Sequence, residues 1–282
     1  MEHTSVEGLL ARARAEGLPR LDAQVLLAHA LGCARTWLHT HPEASVPPSA
    51  RASFALNCRR RLDGVPVAYL TGLREFHGLS LVVTPDVLDP RPDTEVLVDW
   101  ALQMLHGPLA DRVRPIVADL GTGSGAVALA IGQACPRARL IATDVSPAAL
   151  AVARRNGQRL GLQVDWRQGD WLAALRGERV DLLVGNPPYV AEGDPHLAAL
   201  RHEPQLALVS GSQGLDALLH IAATAPRHLQ PGGWLLLEHG ADQADAVARA
   251  LHAAGFGEVA HRHDLAGHRR CTGGRQPTRA PD

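Results

Sequence analysis

The segment RPIVADLGTGSGAVALAIGQA, residues 114–134, decides how the rest of the chain is read. Ile116 to Leu120 is a short apolar run of strand length. It breaks into Gly121-Thr122-Gly123-Ser124-Gly125, and AVALAIGQA then has the composition of a buried helix. A strand, a glycine turn and a helix in that order form a βα unit, in which glycine lets backbone approach a ligand at the helix N-terminus. Working outward, ARLIATD reads as the next strand and SPAALAVARRNGQRLG as a helix with Ser146 as N-cap and Pro147 at its first position. VDWRQGDW reads as a short strand and turn, VDLLVGNPPYV as a strand ending in a proline turn, and GLDALLHIAATAPRHL as a helix. GGWLLLEHG is a further strand and ADQADAVARALHAAG a last long helix, with TEVLVDWALQML a helix ahead of the glycine turn. Strands alternating with helices predict an α/β fold with a mostly parallel, doubly wound sheet.

The glycine turn alone fits more than one ligand. Asp144 ends the following strand, about 20 residues on, where a carboxylate accepts ribose hydroxyl protons. That also suits a dinucleotide. The dinucleotide pattern is GxGxxG, however, and here the third glycine comes one residue early. The acidic Asp119 before the first glycine suits a cationic sulfonium, and no arginine occupies the loop to balance a pyrophosphate. Asp170 and Trp171 follow the third strand and supply a carboxylate for an adenine amino group and a ring to stack on it. The expected cofactor is S-adenosyl-L-methionine, held by Asp119, Gly121, Thr122, Gly123, Ser124, Gly125, Asp144, Asp170 and Trp171.

Asn186-Pro187-Pro188-Tyr189 carries the chemistry. A conjugated nitrogen is a poor nucleophile because its lone pair is delocalised. It becomes competent when both its N–H bonds donate to acceptors that hold the lone pair toward a methyl carbon. Asn186 offers a side-chain carbonyl; Pro187 offers a backbone carbonyl and has no N–H to interfere. Pro188 stiffens the turn, and Tyr189 is expected to lie flat on a planar substrate group. The remaining effect is alignment. Asn186, Pro187 and Tyr189 are the expected catalytic residues, and with Pro188 they form the expected substrate site. Adenine N6, cytosine N4 and a glutamine amide all satisfy this chemistry.

Composition narrows the partners. The chain has 282 residues, 46% apolar and 20% charged, with a formal net charge of −1. That predicts about two domains and argues against a polybasic nucleic-acid or membrane binder. All 28 basic residues are arginine, which excludes Schiff-base chemistry and a P-loop lysine. Four scattered cysteines without a CxxC pair argue against a zinc ribbon or disulfide scaffold and fit a reducing cytoplasm. The first residues show no signal-peptide core, and no apolar run reaches the length of a membrane span. No metal site is expected: His39/His41 and His261/His263 lack a completing acid or cysteine. Arg59-Arg60-Arg61 reads as a solvated helix face that a negatively charged partner could also use.

Residues 1–75 predict a small helical bundle, with Leu9, Leu10 and Ala13, then Leu21, Val25, Leu26, Ala28 and Leu31, then Phe54, Leu56 and Leu62 at helical spacing. Residues 76–90 read as a strand or hairpin linker, residues 91–282 as the α/β domain, and the tail GGRQPTRAPD as frayed.

The chain resembles the bacterial release-factor glutamine methyltransferases (the PrmC/HemK family) along nearly its full length. The resemblance rests on GVPVAYLTG (64–72), EFHGLSLVV (75–83), RPDTEVLVD (91–99), DLGTGSGAVALA (119–130), ATD (142–144), GDW (169–171), NPPYV (186–190), DPHL (194–197), HEPQLALV (202–209), GLD (214–216) and GGWLLLEHG (232–240). It implies a Rossmann-like class I methyltransferase domain with a seven-stranded sheet, behind an N-terminal helical bundle and a β-hairpin linker. It implies N5-methylation of the glutamine in the GGQ motif of peptide chain release factors, with S-adenosyl-L-homocysteine as product, and it places Asn186 at the cofactor as well as at the substrate. A monomer is expected, with no membrane and no direct nucleic-acid partner. Arg91, Thr94 and Glu95 of RPDTE fall where the family places a loop near the cofactor. Asp89 departs from the family, which has an apolar residue there. The rival substrates are a ribosomal-protein glutamine, since a sister family shares NPPY, and DNA adenine N6, which would need a basic cleft that this neutral chain lacks.

Overall fold

The computed structural model describes residues 4–278. The chain divides into two compact units: Met1–Leu73 with Ala199–His202, and Arg74–Ala198 with Glu203–Asp282.

Among its described residues the first unit holds five α-helices: α1 (Val6–Ala15), α2 (Arg20–Leu31), α3 (Arg35–Thr40), α4 (Pro48–Leu62) and α5 (Val67–Thr71). The Ser5 side chain caps α1 by accepting from the Gly8 N–H, and Gly32 closes α2 in the left-handed conformation. Leu26, Leu27, Leu38 and Phe54 form the core, each contributing about 1.5–3 kcal/mol by burial. Two expected core residues of α4 face outward: Leu56 and Leu62 are exposed, and Phe54, Asn57 and Cys58 are the buried set. The leucines lie off the stripe that Ala50, Phe54, Asn57 and Cys58 define at spacings of three and four. Leu21 of α2 is likewise exposed. Arg61 is committed to Asp22 at 2.7 Å, which takes it out of the free basic run.

The second unit opens on a hairpin, β1 (Leu73–Phe76) and β2 (Leu79–Val82), turning at His77-Gly78. Pairing starts earlier than the apolar alternation in 76–90 suggests, because β1 is largely exposed and shows no apolar face. The seven-stranded sheet has the order β5-β4-β3-β6-β7-β9-β8, with β3 (Ile116–Leu120), β4 (Arg139–Asp144), β5 (Asp165–Gln168), β6 (Val180–Gly185), β7 (Leu229–Glu238), β8 (Gly257–His263) and β9 (Arg269–Arg275). Pairing is parallel from β5 through β7, and β9 runs antiparallel to both its neighbours. Five helices complete the unit: α6 (Glu95–His106), α7 (Ala126–Ala134), α8 (Pro147–Leu160), α9 (Asp216–Thr224) and α10 (Ala244–Ala253). One apolar cluster is built on Leu97, Trp100, Leu129 and Ile131, from α6 and α7. A second is built on Leu218, Ile221, Val247 and Leu251, from α9 and α10.

The residue pattern foretells the five parallel strands and not β8 and β9, which are rich in histidine and arginine and only partly buried. The expected frayed tail is corrected as far as Arg275. Gly273 and Gly274 are buried in β9, and a Cβ on Gly273 would come within 2.5 Å of Leu236 and 2.8 Å of Trp100. Glycine there serves close packing, not looseness. Residues 279–282 of that tail lie outside the described residues.

The strand order reverses between β3 and β6, which pair directly. In open α/β sheets the crevice outside the carboxyl ends of the strands at such a switch point is where ligands bind. The glycine turn follows β3 and Asn186 follows β6, so the topology brings the two sequence motifs together.

Candidate active site

A cavity of about 730 Å³ opens at this switch point. The glycine turn forms its floor. Gly121 has φ +69°, and a Cβ there would lie 3.0 Å from the Trp171 ring, so glycine is required both for the turn and for the approach of that ring. Trp171 itself has φ +40° at the start of a short 3-10 turn.

Asp144 organises the turn. Its Oδ2 accepts the Gly123 N–H at 2.9 Å and its Oδ1 accepts the Ser146 N–H at 2.9 Å. Each oxygen keeps a second lone pair, so the carboxylate still has capacity for two hydroxyl donors. Burial raises its pKa despite those hydrogen bonds. Asp119 is 2% exposed, and its Oδ2 accepts from the Thr122 hydroxyl at 2.6 Å and the Ala128 N–H at 3.2 Å. Burial pushes its carboxyl up to about 6, and Asp144 adds to the rise. Among the described residues no cation pairs with it, which is the electrostatic setting that a positively charged ligand relieves.

The structure places Asp119, Gly121, Thr122, Gly123, Ser124, Asp144, Asp170, Trp171, Asn186 and Pro188 on the cavity wall. Gly125, Pro187 and Tyr189 do not line it. Gly125 caps α7 from behind the turn, and Pro187 is buried. The Tyr189 ring packs against the apolar cluster on α9 and α10, its hydroxyl donates to Glu238 Oε1 at 3.4 Å, and its carbonyl accepts from Gln243 at 3.0 Å. One side of the Tyr189 ring therefore braces the turn against the α9–α10 cluster.

Residue reasoning underrated three groups. Thr94 is buried at the cavity wall, and its Oγ1 accepts the Asn186 Nδ2–H at 3.1 Å. Glu238, at the end of β7, is 1% exposed and sits beside Thr94 and Tyr189; burial pushes its carboxyl up to about 7. Asn156 on α8 is 1% exposed and binds the hairpin edge like a missing strand. Its Oδ1 accepts the Val82 N–H at 2.7 Å, and its Nδ2 donates to the Val82 and Ser124 carbonyls at 2.9 Å each. Each partner is far away in sequence, so no local pattern announces the contact.

RPDTE divides its work. Arg91 and Thr94 face the cavity, whereas Glu95 accepts the His77 N–H at 2.9 Å and holds the hairpin turn. Asp89 is buried in a four-membered ionic cluster. It pairs with Arg74 at 3.4 Å and Arg91 at 3.8 Å, and its N–H donates to Glu203 Oε2 at 3.2 Å, while Glu203 pairs with Arg91. An acid thus fits this position because two guanidinium groups meet there.

Comparison with known proteins agrees with this architecture. Residues 6–72 match the family model of the PrmC N-terminal domain, and residues 94–203 match the methyltransferase small domain. The release factor glutamine methyltransferase of Xylella fastidiosa is 51% identical over 271 residues, covering 95% of this chain and 97% of that protein. The chain belongs to the release factor glutamine methyltransferase family. The corresponding protein of Bordetella pertussis is 51% identical over 261 residues, covering 92% of this chain and 95% of its own. A solved methyltransferase from Pyrococcus furiosus shares the fold at 16% identity, with a TM-score of 0.54 over 79% of this chain and 99% of that one. As a member of the family the chain is a methyltransferase. No helix among the described residues is long and apolar enough to cross a membrane.

Proposed function

We propose that this methyltransferase transfers a methyl group from S-adenosyl-L-methionine to the side-chain amide nitrogen of the glutamine in the GGQ motif of peptide chain release factors. The observation that carries this reading is the Asn186 amide, held by Thr94 on the wall of the same cavity as the glycine turn and Asp144.

The site's residues fit the cofactor. Asp144 has spare acceptor capacity for a ribose diol, Trp171 and Asp170 flank the space for an adenine, and Asp119 supplies an uncompensated buried charge for a sulfonium. Bound there, the cofactor supplies an electrophilic methyl carbon. Asn186 Oδ1 and the Pro187 carbonyl each accept one N–H of the substrate glutamine, which turns the nitrogen lone pair toward that carbon. That nitrogen would take the methyl carbon the cofactor supplies, and would then lose one proton. Orientation supplies the rate, and the chain contributes acceptors and walls, not a strong base.

The test is methyl transfer from labelled S-adenosylmethionine to a purified unmodified release factor, with a GGQ→GGA variant and duplex DNA alongside. Label on the GGQ protein alone is expected. Label on DNA, or equal label on the GGA variant, overturns the reading. Asn186→Ala should abolish transfer while circular dichroism stays near normal; near-normal turnover would remove the amide clamp.

A further inference from the structure

Glu238 lies outside the motifs that announce the active site, yet the sheet delivers it there. Gly185 of β6 is registered against Leu237 of β7, so the next residues, Asn186 and Glu238, stand side by side at the carboxyl ends of two paired strands. Thr94 lies between them in the hydrogen-bonding sequence: its Oγ1 accepts from Asn186 Nδ2, and its hydroxyl faces the Glu238 carboxylate. Glu238 Oε1 takes the Tyr189 hydroxyl, and Oε2 is fully buried without a partner. A buried carboxylate oxygen without a donor is costly, and the Thr94 hydroxyl, which acts on this carboxylate, has a proton to give it.

An asparagine amide is nearly symmetric in shape, and only its hydrogen bonds decide which end points where. A threonine hydroxyl has a single proton. If that proton is committed to a carboxylate, the oxygen is left only as an acceptor, and Asn186 must then present its N–H to Thr94 and its Oδ1 to the substrate. We infer that Glu238 is a positioning residue for methyl transfer: through the one proton of Thr94 it fixes the Asn186 amide with Oδ1 toward the substrate glutamine. Glu238 itself touches neither substrate nor cofactor in this scheme. The inference rests on the substrate reading above for its kinetic consequence, but not for its structural one.

Two readouts separate these. The first is independent of substrate. In the 15N spectrum of the cofactor-bound protein, the Asn186 side-chain NH₂ pair, identified by its absence in Asn186→Ala, should show one proton protected from exchange. That protection should persist in Thr94→Ser and vanish in Thr94→Val and Glu238→Gln. Unchanged protection in Thr94→Val and Glu238→Gln overturns the inference, whatever the substrate proves to be. The second readout is kinetic, at pH 8, with the release factor. Thr94→Val and Glu238→Gln should each lower kcat about 10- to 100-fold, with KM and cofactor Kd within about threefold, while Thr94→Ser keeps most of kcat. The double variant should be no slower than Thr94→Val alone, because both changes cut one relay. Losses that multiply, or a Thr94→Ser variant as slow as Thr94→Val, would assign both residues to packing and end the proposal. Wild-type protein that shows the protected amide yet fails to label the release factor would refute the substrate and leave the relay standing.

Discussion

Asp119 and Asp144 are two acids 25 residues apart in sequence with different tasks, and the difference sits in their surroundings. Asp144 accepts from the Gly123 and Ser146 N–H groups and retains lone pairs for hydroxyls. Asp144→Ala removes those acceptors and also frees the Gly123 N–H, so cofactor affinity should fall by about 2–3 kcal/mol, measured by titration calorimetry. Under the proposed function Asp119 instead meets the charge of the sulfonium. Its pKa of about 6 means that it is ionised at pH 8 and largely protonated at pH 5. S-adenosylmethionine carries a sulfonium charge that S-adenosylhomocysteine lacks. The preference for the former should therefore be present above about pH 6 and fade as pH falls through that value. Asp119→Asn should erase the preference and its pH dependence together. A preference that is flat from pH 5 to 8 in the wild type would separate Asp119 from the sulfonium.

At the scale of elements, the decisive contact is Asn156 of α8 against β2 and the glycine turn. It satisfies one N–H and two carbonyls that are otherwise buried. Asn156→Leu keeps the volume and leaves those groups orphaned, so stability should drop by about 3 kcal/mol in urea denaturation. Asn156→Asp should also be costly, because it adds a buried charge and loses both donated bonds. This contact also shows where sequence reading stops. The parallel strands, the glycine turn and NPPY were legible because their signals are local: apolar runs, turn residues and short fixed spacings. Asn156 looked like one polar residue among the arginines of SPAALAVARRNGQRLG, since its partners lie 32 and 74 residues away. Glu203, 112 residues from Arg91, was invisible as an ion-pair partner for the same reason. Leu56 and Leu62 erred the other way: apolar side chains at plausible spacing were read as core, but the stripe through Phe54 and Cys58 is what the bundle buries. The tyrosine of NPPY carries a chemical expectation, and Glu238 at the carboxyl end of β7 gives its hydroxyl a structural partner.

Across the methyltransferase unit, function is built at a cost to the empty fold. Asp119 and Glu238 are both buried carboxylates whose pKa values rise, to about 6 and about 7. A raised acid binds its proton more tightly in the folded state than in the unfolded chain. Its favourable contribution is complete below the unfolded pKa and is lost as pH rises through the folded value, so ionising these groups weakens the apo-protein between about pH 4 and 7. His239 acts in the opposite sense. Buried between the Gly240 carbonyl and Thr272, it has a lowered pKa, so its contribution is present above the ordinary histidine range and lost on acidification. The two trends oppose each other over the same acidic window, so His239 offsets part of the loss caused by ionising the acids. Removing one acid's charge should lift the alkaline limb alone. Asp119→Asn is expected to stabilise the apo-protein by about 2 kcal/mol at pH 8 and by clearly less at pH 5. Trp100, Trp166, Trp171 and Trp234 all belong to this unit, so tryptophan fluorescence in urea follows its unfolding. An equal gain at both pH values would point to improved packing, whereas a loss at pH 8 would mean that the hydrogen bonds from Thr122 and Ala128 outweigh the buried charge.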